Sequence, residues 1–166
     1  IDEAAELISY AKNPVILAGS GVIRSHASKE LTAFAEKLKI PVINTMTAKG
    51  AIPFDNKYSM WTIGIPFPDY QNKILEKASL VIAVGYDIIE YAPSKWNKNG
   101  DVDIIHIDAS AADINKLYQA NVEVVGDIPD ALKRIMQRAA RLQEPKEALT
   151  LREKMVSEHE SYAYDQ

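Results

Sequence analysis

Short apolar runs with no internal alternation constrain this chain more than any other feature. They are Val15-Ile16-Leu17-Ala18, Leu80-Val81-Ile82-Ala83-Val84 and Asp103-Ile104-Ile105-His106-Ile107-Asp108, with Pro41-Val42-Ile43-Asn44 and Val122-Glu123-Val124-Val125 as shorter examples. A strand with one wet face alternates apolar and polar residues. A strand that is apolar at successive positions is buried on both faces, as in a parallel sheet covered by helices. The intervening segments carry helical spacing. Ile1 to Ala11 places Ala4, Ala5, Leu7, Ile8 and Ala11 on one face, and Ser28 to Leu38 does the same with Leu31, Phe34, Ala35 and Leu38. Asp69–Lys77, Ala111–Tyr118 and Ile128–Leu142 also read as helices, while Thr45–Gly64 and Ile88–Gly100 read as long irregular loops. Strand and helix in alternation predict an α/β, doubly wound, mostly parallel sheet of about five or six strands, with helices on both faces and right-handed crossovers.

Composition narrows the function classes. At 166 residues, 47% hydrophobic and 25% charged, the chain is of ordinary globular make-up. Pro145 marks a boundary, giving one domain over 1–144 and a helical tail or linker over 145–166. The balance of 19 basic against 23 acidic residues gives a net charge of −4, which argues against nucleic acid or an anionic membrane as partner. The absence of cysteine excludes disulfides, zinc–thiolate sites and a cysteine nucleophile, and fits a reducing cytoplasm. No apolar run nears the roughly 18 residues that a membrane helix needs. The opening at Ile1 rather than Met reads as a mature or excised piece of a larger protein.

In an open α/β sheet, ligands bind beyond the carboxyl ends of the strands. Here those ends carry Gly19-Ser20-Gly21, Gly85-Tyr86-Asp87, Asp108 and Gly126-Asp127. Glycines let backbone N–H groups come close to a ligand, and carboxylates at strand ends can accept from ribose hydroxyls, so the set could hold a dinucleotide. The alternative is that these glycines only make tight turns. The fingerprint GxGxxG is incomplete, because Arg24 stands where its third glycine belongs.

The rest of the inventory is thin. His106, between Ile105 and Ile107, reads as a hydrogen-bonded strand residue, and His159 as solvated. Asp87 and Glu90 read as loop carboxylates in a structural role, with ligand binding as the alternative. Asp101 and Asp103 have no third acidic neighbour for a cation. Trp61 and Trp96 fall in the two loops, either packed or marking a contact with another domain.

Several segments in order resemble the central domain of thiamine-diphosphate enzymes. Val15 to Gly21, Ile40-Pro41-Val42-Ile43-Asn44-Thr45, Lys49-Gly50-Ala51-Ile52-Pro53, Ala78 to Gly85, Ile105-His106-Ile107-Asp108 and Val124-Val125-Gly126-Asp127 carry the likeness, over residues 1–142. Within that family, Gly85 to Pro93 with Trp96-Asn97 looks most like the catabolic acetolactate synthases. The resemblance implies a DHS-like NAD/FAD-binding, Rossmann-like three-layer fold. It implies a longer parent enzyme that condenses two pyruvate into 2-acetolactate and carbon dioxide, with thiamine diphosphate and magnesium held by its N- and C-terminal domains. The activating glutamate and the Gly-Asp-Gly magnesium motif of those domains are missing, so this piece alone is expected to be inactive.

Relatives hold FAD or ADP in the central domain, whereas catabolic acetolactate synthases do without flavin. The pocket carried over comprises Gly19, Ser20, Gly21, Gly85, Tyr86, Asp108, Ala109, Gly126 and Asp127. Trp61 departs from the family, standing where relatives have the first glycine of a pair ending at Gly64. The implied state is therefore a vestigial or empty nucleotide site with no cofactor held by this domain and no catalytic or metal-binding residue of its own. Partners would be the flanking domains of the same chain in a dimer or tetramer. Two further function classes remain open: a self-contained FAD-, ADP- or NAD-binding module, and the central domain of another thiamine-diphosphate decarboxylase or carboligase. An NAD-dependent deacetylase, similar in central fold, would carry a four-cysteine zinc site that this chain lacks.

Overall fold

A computed structural model describes residues 1–64 and 70–164. Six parallel strands form one open sheet in the order β3-β2-β1-β4-β5-β6. They are β1 (Pro14–Ala18), β2 (Val42–Asn44), β3 (Ser59–Thr62), β4 (Leu80–Val84), β5 (Asp103–Asp108) and β6 (Val122–Val125). Among the described residues six α-helices accompany them: α1 (Asp2–Tyr10), α2 (Ser20–Arg24), α3 (Ser28–Leu38), α4 (Tyr70–Glu76), α5 (Ile128–Arg138) and α6 (Lys146–Tyr164). The order 3-2-1-4-5-6 is that of a dinucleotide-binding sheet.

The non-alternating runs behave as expected. Every residue of β1 and of β4 is buried. Alternate side chains feed two cores. Ile16, Ala18, Ile82, Val84, Ile105 and Ile107 pack with α1, α3 and α5 on one face. Val15, Leu17, Ile43, Val81, Ala83 and Ile104 pack with α4 and the loop that carries Trp96 on the other. Leu17, paired with Ile43 on one side and Ala83 on the other, sits mid-sheet. Three layers result because each strand has two apolar faces to cover.

Two expected elements differ. Thr45–Gly64 is not wholly irregular, since Ser59–Thr62 adds the edge strand β3 beside β2. The run Ser59-Met60-Trp61-Thr62 has too little pattern to announce itself, and pairing with β2 decides it. The helix expected over Ala111–Tyr118 does not form; only an isolated bridge links Asn115 and Tyr118. Side-chain acceptors fix local turns there instead. Asp108 accepts from the Ser110 N–H, Glu123 from the Ala112 N–H and Asn115 from the Leu117 N–H. The expected start of α4 at Asp69 lies outside the described residues.

The segment after Pro145 forms α6, which packs on the β3 side. The Arg152 guanidinium donates to the carbonyls of Ser59 at 3.0 Å and Phe54 at 3.3 Å, and the Tyr70 hydroxyl donates to Glu158 at 2.8 Å. Arg152 thereby covers part of an exposed sheet edge, a position that otherwise invites pairing with another chain. No helix among the described residues is long and apolar enough to cross a membrane.

Candidate functional site

The direction of winding reverses between β1 and β4. From β1 the chain runs outward to β2 and β3, and from β4 it runs the other way to β5 and β6. A ligand crevice is expected at this switch point. The turn from β1 into α2 and the loop that leaves β4 meet there: Gly19-Ser20-Gly21 faces Gly85-Tyr86.

They meet backbone to backbone. Gly21 N–H donates to the Gly85 carbonyl at 2.8 Å, Gly19 N–H to the Val84 carbonyl at 2.9 Å, and Gly85 N–H to the Ile107 carbonyl at 2.8 Å. A Cβ on Gly19 would fall 2.4 Å from the Gly85 carbonyl oxygen, and one on Gly21 would fall 2.5 Å from the Gly85 Cα. Gly85 also has φ +57°, where glycine is favoured. The glycines are therefore needed for the two segments to touch, and their N–H groups are spent on backbone carbonyls of Val84, Gly85 and Ile107.

The remaining residues of the expected pocket are likewise partnered. The Tyr86 hydroxyl donates to the Tyr91 carbonyl and accepts from the Trp96 indole at 3.2 Å. Burial pushes that phenol well above its usual range. Gly126 N–H donates to the Asp108 carbonyl at 2.8 Å, which joins the β5 and β6 tips. Asp108 caps its own turn by accepting from Ser110 N–H at 3.2 Å, and Ala109 is exposed in that turn. Asp127 caps α5, accepting from Asp130 N–H at 2.8 Å. The structure thus gathers Gly19, Ser20, Gly21, Gly85 and Tyr86 at the switch point, and Asp108, Ala109, Gly126 and Asp127 one strand further on.

Among these donors, Ser20 meets a charged group. Its N–H lies 3.1 Å from each carboxylate oxygen of Glu90, and its hydroxyl donates to Oε1 at 2.8 Å. The Thr45 and Thr47 hydroxyls, from the β2 tip, donate to Oε2 at 2.5 and 2.7 Å. Burial alone would raise the Glu90 pKa. The donors from Thr45, Thr47 and Ser20 outweigh it and hold the carboxyl below the usual carboxylate range. Arg24, one turn along α2, donates to the Ser20 hydroxyl.

Thr45 and Thr47 form no part of the expected site, and Glu90 enters the sequence reading as a loop carboxylate in a structural role, with ligand binding as the alternative. The local signal was slight: hydroxyls either side of Met46 just past the end of β2, and an acid six residues after the end of β4.

Elsewhere, His106 is buried and fully bonded, as its place in the strand suggested. Its Nε2 faces the Ser110 carbonyl at 2.9 Å and its Nδ1 the Tyr118 hydroxyl at 2.9 Å. A carbonyl can only accept, so Nε2 carries a proton, and in the neutral ring Nδ1 accepts from the Tyr118 hydroxyl. Trp96 is packed, with its ring against Tyr86 and Tyr118. His159 is exposed but not simply solvated: it lies against Trp61, centroids 5.6 Å apart, while Trp61 stacks on Phe54 at 4.5 Å. These three rings line a cavity of about 1040 Å³ between α3, the loop 49–54, β3 and α6. No group of three or more His, Asp or Glu able to hold a metal ion occurs among the described residues.

A six-stranded parallel sheet with a switch point and glycine-lined tips defines a nucleotide-binding-type scaffold. Residues 1–135 match the family model "Thiamine pyrophosphate enzyme, central domain", and the chain belongs to that family. Its curated relatives include the acetolactate synthase of Bacillus subtilis (strain 168), 34% identical over 166 residues, which are 99% of this chain and 28% of that protein. The acetolactate synthase large subunit of Corynebacterium glutamicum is 35% identical over 145 residues, 82% of this chain and 22% of that protein. An acetolactate synthase of Mycobacterium bovis is 33% identical over 129 residues, 77% of this chain and 21% of that protein. The chain therefore spans less than a third of the length of these relatives. The family implies thiamine diphosphate and magnesium in the parent enzyme. The described residues of this domain offer no carboxylate cluster that fits the metal.

Proposed function

We propose that this chain is the non-catalytic central domain of an acetolactate synthase. The likeness to the B. subtilis enzyme along 99% of the chain carries this reading. In the parent, the flanking domains would hold thiamine diphosphate and magnesium, release carbon dioxide from one pyruvate and join the remainder to a second to give 2-acetolactate. The central domain would serve as the rigid body between them, in a cytoplasmic dimer or tetramer. Its net charge of −4 supports a role without nucleic acid or membrane.

Its strand-tip cleft is, on this reading, a vestigial nucleotide site kept for structure. What supports this is that Gly19, Gly21, Gly85 and Gly126 spend their N–H groups inside the chain. The alternative of a self-contained FAD-, ADP- or NAD-binding module would want those donors free. The test is an acetolactate assay with pyruvate, thiamine diphosphate and magnesium. The 166-residue chain is expected to form none, and the protein encoded by its complete reading frame is expected to form it. Acetolactate from the chain alone, or another carboligation or decarboxylation product from the full protein, would refute the assignment.

A further inference from the structure

We propose that Glu90 is a built-in anion: its carboxylate fills the strand-tip cleft in place of a nucleotide phosphate and keeps anionic dinucleotides out of it. The proposal rests on the reading of the cleft as a nucleotide site retained for structure. It adds the residue that closes it.

The argument begins with the turn that delivers Glu90. Beyond β4, Asp87 accepts from the Ile89 N–H through its side chain at 3.0 Å and from the Glu90 N–H through its carbonyl at 3.0 Å. Past Glu90, the Tyr91 carbonyl is tied to the buried Tyr86 hydroxyl. Both ends of the turn are therefore anchored. The side chain between them is directed back over the tips, while Ile89 beside it is left 85% exposed.

There the carboxylate meets donors from two other strand tips. Ser20 supplies an N–H and a hydroxyl, and Thr45 and Thr47 supply hydroxyls at 2.5 and 2.7 Å. An ionised carboxylate offers about four lone-pair sites. Ser20 and the two threonines occupy Oε1 and Oε2 between them, so neither oxygen is left seeking a partner. These donors are neutral N–H and O–H groups, the kind that hold phosphate oxygens at strand tips.

A phosphate has two routes in. It can displace Glu90, which leaves an anchored carboxylate without its donors. Or it can lie beside Glu90, where two anions repel in a partly desolvated cleft. Neither route finds replacement N–H groups, because those of Gly19, Gly21 and Gly85 are bonded to neighbouring strands. Removing the carboxylate frees the Ser20, Thr45 and Thr47 donors together. The Arg24 guanidinium stays beside them, at the Ser20 hydroxyl.

The experiment titrates ADP, as the probe, into the wild-type chain, Glu90→Ala and Glu90→Gln. Calorimetry is read together with the amide shifts of Ser20, Thr45 and Thr47. Wild type is expected to show no saturable binding up to about millimolar ADP. Glu90→Ala is expected to bind at least about tenfold more tightly than that limit, with those amides moving. Glu90→Gln keeps the side chain's shape without its charge. It guards against a Glu90→Ala chain that does not fold, and is expected to gain binding to a smaller degree.

A folded variant in which ADP moves none of the three amides overturns the proposal, as does wild type binding ADP with those amides shifting. Wild type binding ADP while they stay still supports exclusion from this cleft. That last outcome would sink the reading that the domain binds no nucleotide, so the two failures are distinguishable.

Discussion

Replacing Gly19 by alanine tests whether the glycines serve loop contact. Gly19 has φ −107° and ψ −179°, extended backbone open to any residue, so alanine there carries no conformational strain. What it meets is the other loop: its Cβ would sit 2.4 Å from both the Gly85 carbonyl oxygen and the Tyr86 Cα. Ordinary carbon contacts begin near 3.5 Å, so the two backbones must part by about 1 Å. Overpacking of this kind costs about 1–3 kcal/mol.

Parting the loops also weakens the bonds from Gly19 N–H to Val84 and from Gly21 N–H to Gly85. Each is worth about 1 kcal/mol. Against this, alanine stabilises by about 0.4–1 kcal/mol through the unfolded chain. The expected loss is about 2–4 kcal/mol, a fall in Tm of about 5–15 °C for a chain of this size. Urea unfolding followed by tryptophan fluorescence reads it, since Trp96 is only 5% exposed.

Gly50→Ala is the control. Its φ is +91° and nothing lies within 4 Å of its Cβ, so only a left-handed backbone penalty of about 1–2 kcal/mol applies. If Gly19→Ala costs less than Gly50→Ala, the contact argument is wrong.

Two further outcomes follow from the site geometry. The Glu90 pKa is lower in the folded chain than the unfolded value of about 4.3, so its contribution is fully present above that value and is lost as pH falls through the folded one. Between about pH 5 and 3, Glu90→Gln should lose stability less steeply than wild type, as read by urea midpoints; parallel slopes would refute the carboxylate's role. Glu30 and Glu144 are lowered too, so the slope should shrink without vanishing. Tyr118→Phe removes the donor to His106 Nδ1 inside the core and should cost about 1–3 kcal/mol in the same unfolding assay. No loss would mean that His106 does not depend on that hydroxyl.

The strands were legible in the sequence because burial on two faces writes itself as unbroken apolar runs. Val15 to Ala18 and Leu80 to Val84 are too short for helices, rich in β-branched residues and closed by glycine, which marks them as strands. β3 was not legible: Ser59 to Thr62 has no pattern of its own and becomes a strand only because β2 lies beside it. The 111–118 segment misled for the opposite reason. Its apolar residues suit a helix, but Asp108, Asn115 and Glu123 fix local turns by accepting from backbone N–H groups, and Ile114 ends fully exposed.

The candidate site divides the same way. Its glycines and acids could be counted along the chain, and local chemistry placed them at strand ends. Which groups face one another was settled by strand order. Winding outward in both directions from β1 and β4 sets Gly19 and Gly21 on Gly85 and lays Glu90 across Ser20, Thr45 and Thr47. Contacts between residues so far apart in the chain leave no periodic trace, because hydrogen bonding and steric contact act through space while sequence pattern records only neighbours along the backbone.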